Sequence, residues 1–238
     1  MLDVQNLNAW YGAAQILYGL TLQVKRGEVV ALMGRNGAGK STTMKAIMGL
    51  LARREGTVCF NGRDISRLES YRIARLGLGF TPEDRRIFSD LTVTENLDVG
   101  RQDQRSFGDG VPAPAWTPEK LFTLFPNLAE RRDHLGSQIS GGEQQMLTVA
   151  RTLMGNPLFV LLDEPSEGVA PVIVEQMANT IVALKTQGLS LLLSEQNLHF
   201  AALVSDRVYL LEKGHIRWEG RMPELLDNAE VQRSFLTM

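Results

Sequence analysis

Gly34-Arg35-Asn36-Gly37-Ala38-Gly39-Lys40-Ser41 fits the pattern G-x-x-x-x-G-K-[ST] without a mismatch. The apolar run Val29-Val30-Ala31-Leu32-Met33 leads into it, and a helical pattern with apolar residues at Met44, Ile47, Met48 and Leu51 follows it. Strand, glycine loop and helix in that order are the setting in which this motif holds phosphate. Glycines let the backbone curl so that successive N–H groups face an anion, and the start of a helix adds a partial positive charge. Lys40 is placed to reach the outer phosphates of a nucleotide, and the Ser41 hydroxyl is a ligand for Mg²⁺.

Such a site needs a second group for the metal. Leu158-Phe159-Val160-Leu161-Leu162-Asp163-Glu164 is an apolar strand ending in two acids. Asp163 at the strand end would hold Mg²⁺, and Glu164 would stand beside the γ-phosphate and polarise the attacking water. A third element is Ser140-Gly141-Gly142-Glu143. Ser140 is a good N-cap, and the two glycines allow close backbone approach. A helix starting there is a second anion site. One nucleotide has no use for two such sites in one subunit, whereas two chains facing head to tail could each close the other's nucleotide.

Composition sets the outer bounds. The 238 residues suffice for one large domain, or for a core with an inserted lobe, and fall short of two complete enzyme domains. Hydrophobic residues at 44% and charged residues at 22% are the balance of a folded globular chain. A net charge of −2 argues against nucleic-acid binding carried by charge. The single cysteine, Cys59, excludes an internal disulfide and points to a reducing compartment, and no Cys/His cluster suggests zinc. Met1-Leu2-Asp3-Val4-Gln5 lacks the basic-then-apolar order of a signal peptide. The longest apolar runs, near 159–162 and 189–193, are strand-length, against about 20 residues for a membrane span. Any membrane role is therefore expected to run through a partner.

Strands are expected over 17–24, 29–33, 77–80, 158–162, 189–193 and 208–211, with turns at Lys25-Arg26-Gly27-Glu28 and Glu212-Lys213-Gly214-His215. Residues 84–155 carry helical patterns and no convincing strand, with helices over 119–125 and 141–154 and a stop at Gly155-Asn156-Pro157. Gly108, Gly110, Pro112, Pro114 and Pro118 mark 102–118 as an exposed loop. Continuously apolar strands followed by helices predict a parallel sheet buried on both faces. The expected architecture is a single α/β domain over 1–238. Its core comes from about 1–83 and 156–238, with a helical subdomain of about 84–155 inserted.

These elements together resemble the ATP-binding subunit of ABC transporters over essentially the whole chain. Residues 34–41 look like its Walker A loop, Ile139-Ser140-Gly141-Gly142-Glu143 like its signature, and residues 158–164 like Walker B with the catalytic glutamate. The resemblance implies a P-loop NTPase with a RecA-like core, an N-terminal antiparallel β part and an inserted α-helical subdomain. A narrower resemblance lies in Thr81-Pro82-Glu83-Asp84-Arg85-Arg86-Ile87-Phe88, Glu164-Pro165-Ser166-Glu167-Gly168-Val169-Ala170-Pro171 and Ser194-Glu195-Gln196-Asn197. These are similar to the second ATPase of branched-chain amino acid importers, the LivF type.

What the resemblance implies is carried over residue by residue. ATP would be held by Gly34, Arg35, Asn36, Gly37, Ala38, Gly39, Lys40, Ser41 and Thr42, with the adenine stacked on Tyr11, although the adjacent Trp10 offers a ring of the same use. Glu83 takes the place of the Q-loop glutamine and would join Ser41 and Asp163 at Mg²⁺ through water. Gln196 takes the place of the switch histidine and, with Glu164 and Lys40, would complete the catalytic set. Ser140, Gly141, Gly142 and Glu143 would contact the ATP of a partner chain. Departures from the general pattern are Glu83 and Glu143 for glutamine, Ala170 for aspartate and Gln196 for histidine. Glu167 stands where a leucine is expected, and the sequence offers no account of it.

The expected function is ATP binding and hydrolysis that powers an importer of branched-chain amino acids or a related small polar solute. The implied cofactors are ATP and Mg²⁺. The implied partners are a second ABC ATPase in a heterodimer (a homodimer for the isolated chain), two transmembrane permease subunits and an extracytoplasmic solute-binding protein, with no nucleic acid. The implied location is the cytoplasmic face of the inner membrane, peripheral through the permeases. Two other readings stay open: a soluble ABC-type ATPase that moves no solute, and a weakly hydrolysing, ATP-gated regulatory subunit.

Overall fold

The computed structural model describes residues 1–236. Two antiparallel strands, β1 (Leu2–Tyr11) and β2 (Ala14–Val24), form a hairpin and lead into β3 (Val29–Met33), all five of whose residues are buried. The glycine loop then opens α1 (Lys40–Ile47). That helix ends earlier than the apolar pattern suggests. Met48 caps it and Gly49 turns away at φ 73°, so Leu51 lies outside the helix and packs half-buried against the core. β4 (Arg53–Phe60) and β5 (Arg63–Asp64) pair back onto the first hairpin and complete a four-stranded antiparallel sheet in the order β2-β1-β4-β5. α2 (Ser70–Arg75) and β6 (Leu78–Thr81) follow.

Four α-helices come next, α3 (Val93–Gly100), α4 (Pro118–Leu124), α5 (Pro126–Glu130) and α6 (Gly141–Met154), with a short 3-10 helix (Gly136–Gln138) before α6 and no strand among them. The remaining chain is β7 (Phe159–Asp163), α7 (Pro171–Thr186), β8 (Ser190–Glu195), α8 (Leu198–Val204), β9 (Arg207–Glu212), β10 (His215–Arg221), α9 (Met222–Leu226) and α10 (Ala229–Phe235). The second sheet runs β10-β9-β3-β8-β7-β6, parallel except for β10 at its edge.

Strand alternation decides the layering. Val29, Ala31 and Met33 of β3 enter one hydrophobic cluster, shared with α3 to α9, while Val30 and Leu32 enter the other, shared with α1 and the antiparallel sheet. β7 splits in the same way, with Val160 and Leu162 on one side and Phe159 and Leu161 on the other. Each such side chain contributes about 1.5–3 kcal/mol of burial. Phe60 and Phe159 meet edge-to-face at 6.3 Å and join the two sheets.

The segment 102–118 is not simply an exposed loop. Phe107, Ala113 and Trp116 are buried, and the Arg26 guanidinium lies 3.5 Å over the Phe107 ring. Asn156 fastens the segment by accepting the Trp116 N–H and donating to the Gln102 carbonyl, each at 2.6 Å. Glycine and proline punctuation marks the absence of regular structure, but the three apolar side chains decide where the loop lies.

Candidate active site

The phosphate loop is shaped by left-handed residues at Gly37 (φ 77°) and Gly39 (φ 112°), the latter standing at the N-cap of α1. It rests on the β9–β10 turn. The Gly214 N–H donates to the Ala38 carbonyl at 2.9 Å, and the Gly214 carbonyl accepts from the Tyr18 N–H at 3.0 Å. A Cβ added at Gly34 would collide with the Leu211 carbonyl, and one at Gly214 with the Ile16 carbonyl, so both positions demand glycine.

Lys40 opens α1 almost fully buried, and its ammonium donates to the Gly34 and Arg35 carbonyls at 2.9 and 3.3 Å. It also lies 3.0 Å from a Glu164 carboxylate oxygen. The Ser41 hydroxyl donates to Asp163 at 3.0 Å, and the Ser194 hydroxyl donates to the same oxygen at 2.6 Å. Burial pushes the Asp163 carboxyl up, and those two hydroxyls offset part of the rise. Ser41 and Asp163 are hard oxygen donors facing one another, a set that suits Mg²⁺ when phosphate oxygens complete the shell. Among the described residues, no cluster of three or more His, Cys, Asp or Glu forms a metal cage of its own.

Glu164 sits at φ 45°, in the left-handed region, with its N–H donating to Ser194. A non-glycine residue held there is strained, and such strain concentrates at functional sites. Its carboxylate is bracketed by Lys40 on one oxygen and by the Gln196 amide, donating at 2.9 Å, on the other. Burial acts to raise this carboxyl, but hydrogen bonds from Glu167 and Gln196 and the Lys40 charge outweigh it, so the group is held below its ordinary value. That direction favours the carboxylate, the form that can accept a proton.

Ser41, Lys40, Glu83 and Glu164 line one cleft of about 500 Å³, together with Asn36, Gly37, Gly39, Thr42, Ile16 and Glu167. Gln196 reaches it through Glu164, and Asp163 through Ser41. Tyr11 is exposed at the end of β1, while Trp10 beside it is covered by the Arg53 guanidinium at 4.1 Å. Ser140, Gly141, Gly142 and Glu143 lie elsewhere, at the start of α6. There Ser140 and Glu143 form a capping box, each side chain accepting the other's backbone N–H, at 3.3 and 2.7 Å.

Three residues matter more than the sequence indicated. Glu167 stands in the cleft, and its hydrogen bond with Glu164, followed by burial and the charges of Glu164 and Glu83, raises its carboxyl to about 7. Its departure from the expected leucine was the signal. Glu195 is buried at the end of β8 and accepts the N–H groups of Ser166, Gln196 and Asn197 at 3.1, 3.1 and 3.2 Å. It clamps the turn after Glu164 to the strand end that carries Gln196. Ser194 ties Asp163 and Glu164 together, and no sequence signal distinguishes it from an ordinary strand serine.

Comparison with known proteins bears on these residues. Residues 17–167 match the family described as ABC transporter. The high-affinity branched-chain amino acid transport ATP-binding protein BraG of Pseudomonas aeruginosa is 39% identical over 236 residues, 99% of each chain. The lipopolysaccharide export system ATP-binding protein LptB of Haemophilus influenzae is 34% identical over 238 residues, 99% of this chain and 97% of its own. An ATP-binding cassette of an ABC transporter, solved in its ADP conformation, superposes with a TM-score of 0.80 at 28% identity, covering 97% of this chain and 96% of the other.

Proposed function

The chain belongs to the family of ABC transporter ATP-binding subunits and is an ATPase of that family; on that footing we propose that it powers the uptake of branched-chain amino acids or a related small polar solute through partner permeases. The observation that carries the hydrolytic part is the Glu164 carboxylate held between Lys40 and Gln196 at the mouth of the phosphate loop. The solute class is supported by the 39% identity to BraG over the full length, against 34% to the exporter subunit LptB.

In this reading, residues 34–42 hold the phosphates of ATP, and Tyr11 stacks on the adenine. Incoming phosphate oxygens compete for the Lys40 ammonium and draw it off Glu164. Glu164 is then free to accept a proton from the attacking water, and the Gln196 amide turns from Glu164 to a phosphate oxygen. Ser41 and Asp163, with Glu83 through water, would hold Mg²⁺, which would neutralise charge on the phosphates. Residues 140–143 close the ATP of a partner chain, whose own α6 closes this one. The partner is a second, different ABC ATPase, or another copy when the chain is isolated.

Two permease chains and an extracytoplasmic solute-binding protein complete the complex, at the cytoplasmic face of the inner membrane. No helix among the described residues is long and apolar enough to cross a membrane; in this reading attachment runs through the permeases. A groove of about 710 Å³, lined by Tyr71, Phe80, Pro82, Arg86, Phe88 and Arg151, is where a permease segment docks. The helical part, about 84–155, passes closure of the nucleotide site to that groove.

The test is to tag the Glu164→Gln chain, trap it with MgATP in its native host, extract the membranes gently and identify what accompanies it. Two permeases and a second ATPase support the importer, and an attached binding protein identifies the solute by what it binds. Lipopolysaccharide-export components would replace the uptake reading with an exporter, and a soluble homodimer would replace both with a non-transport ATPase.

A further inference from the structure

Arg85 has no role in the hydrolytic chemistry described above, yet two distant parts of the chain, α6 and the turn before α7, meet on it. Its backbone stands at φ 48°, a region that L residues adopt at a cost unless their surroundings hold them there. Its carbonyl accepts the Thr148 hydroxyl of α6 at 2.9 Å. One terminal nitrogen of its side chain donates to the Gly168 carbonyl at 3.1 Å, in the turn between Glu164 and α7. The other lies so close over Gly141, the first residue of α6, that a Cβ there would collide with it. A planar guanidinium with five donors can serve two directions at once, which an ammonium on a flexible stem does less well.

The neighbouring contacts extend the same link. Arg86 and Phe88 line the 710 Å³ groove. Arg151 of α6 donates to the Arg86 carbonyl and lies 5.0 Å over the Phe88 ring. On the opposite side, a Cβ at Gly142 would come within 2.7 Å of Ile173, so the start of α6 packs directly against the first turn of α7. The groove, the first turn of α6 and the Gly168 turn are therefore one connected assembly, with Arg85 where they meet.

We propose that Arg85 is a positioning residue for the two-chain site: it sets the first turn of α6 against the Gly168 turn, so that both meet the partner chain and its nucleotide in register, and it ties that arrangement to the groove. The proposal rests on the reading that two chains close ATP through residues 140–143. Losing the guanidinium leaves this chain's own phosphate loop untouched, since Arg85 does not line that cleft. The defect therefore belongs to association and turnover and not to nucleotide capture.

The test places Arg85→Gln in the full-length Glu164→Gln chain and follows MgATP-driven dimerisation by sedimentation. Monomer affinity is read in parallel with a fluorescent ATP analogue, and the thermal midpoint of each variant is recorded. The expected result is dimerisation weakened by about tenfold or more, equivalent to about 1.4 kcal/mol, with monomer affinity and thermal midpoint unchanged. With Glu164 restored, kcat falls while KM for ATP stays level. Thr148→Val, which removes the hydroxyl bond to the Arg85 carbonyl together with the one to the Gln144 carbonyl within α6, gives a smaller defect of the same kind, and it carries the test if Arg85→Gln does not fold. Undiminished dimerisation overturns the proposal, as does a loss of monomer affinity in step with it. Absence of any MgATP dimer in the Glu164→Gln chain with Arg85 intact overturns the two-chain reading, and the proposal with it.

Discussion

Lys40 and Glu164 form a buried ion pair at 3.0 Å. Lys40→Ala removes the cation proposed to meet the outer phosphates and leaves a buried carboxylate with one bracket fewer. ATP affinity should fall by about tenfold or more, since a charge-assisted hydrogen bond is worth about 1.5–3 kcal/mol. Equilibrium binding of a fluorescent analogue checks this, and unchanged affinity would contradict the phosphate-loop assignment. Glu167 makes a second prediction. Its carboxyl is raised to about 7 by the hydrogen bond with Glu164, then by burial and the charges of Glu164 and Glu83, against the opposing pull of Lys40. A raised acid holds its proton more tightly when folded. The stability it contributes is therefore complete below the ordinary glutamate value and is lost as pH rises through about 7. Thermal midpoints of the wild type should drop between about pH 5 and about pH 8 relative to Glu167→Gln, which cannot titrate there. Parallel curves for the two proteins would remove Glu167 from the pair.

At the scale of elements, the β9–β10 turn acts on a loop it does not belong to. Gly214 donates to Ala38 and leaves no space for a side chain beside Ile16. Its φ of 76° adds strain for any other residue. Gly214→Ala should therefore weaken ATP binding several-fold although nothing assigns Gly214 to the nucleotide, and stability should fall by about 1–2 kcal/mol through the left-handed backbone. Titration of nucleotide affinity beside denaturant melts separates the two effects; unchanged affinity would mean that the phosphate loop keeps its shape without this support. The turn itself was legible as Glu212-Lys213-Gly214-His215, but its target was not, because hairpin chemistry says nothing about what the hairpin leans on. The end of α1 is hidden from local spacing for a related reason: apolar spacing continues to Leu51, while the backbone turns at Gly49.

For the molecule as a whole, the central strands are sandwiched, and Phe159 belongs to the cluster between the sheets. It is fully buried and meets Phe60 across them. Phe159→Ala should cost about 3–5 kcal/mol, seen as a lower midpoint in chemical denaturation. A cost under about 1 kcal/mol would show that the cluster collapses to refill the space. The same whole-molecule geometry keeps residues 140–143 out of the cleft of their own chain.

The phosphate loop, the Asp163-Glu164 pair, the capped start of α6 and most strand positions were determined by the sequence by itself. Each of these is written in short-range terms: a period of two or of about 3.6 residues, a glycine where φ is positive, a serine where a helix begins. The tertiary structure alone decided which of those pieces meet. It set Gln196 and Lys40 on opposite oxygens of Glu164, clamped the following turn with Glu195, and buried Phe107 and Trp116 of a loop that reads as exposed. It also placed Arg85 between Gly141 and Gly168. These contacts join residues far apart along the chain, and they follow from how the layers pack, which no local spacing encodes.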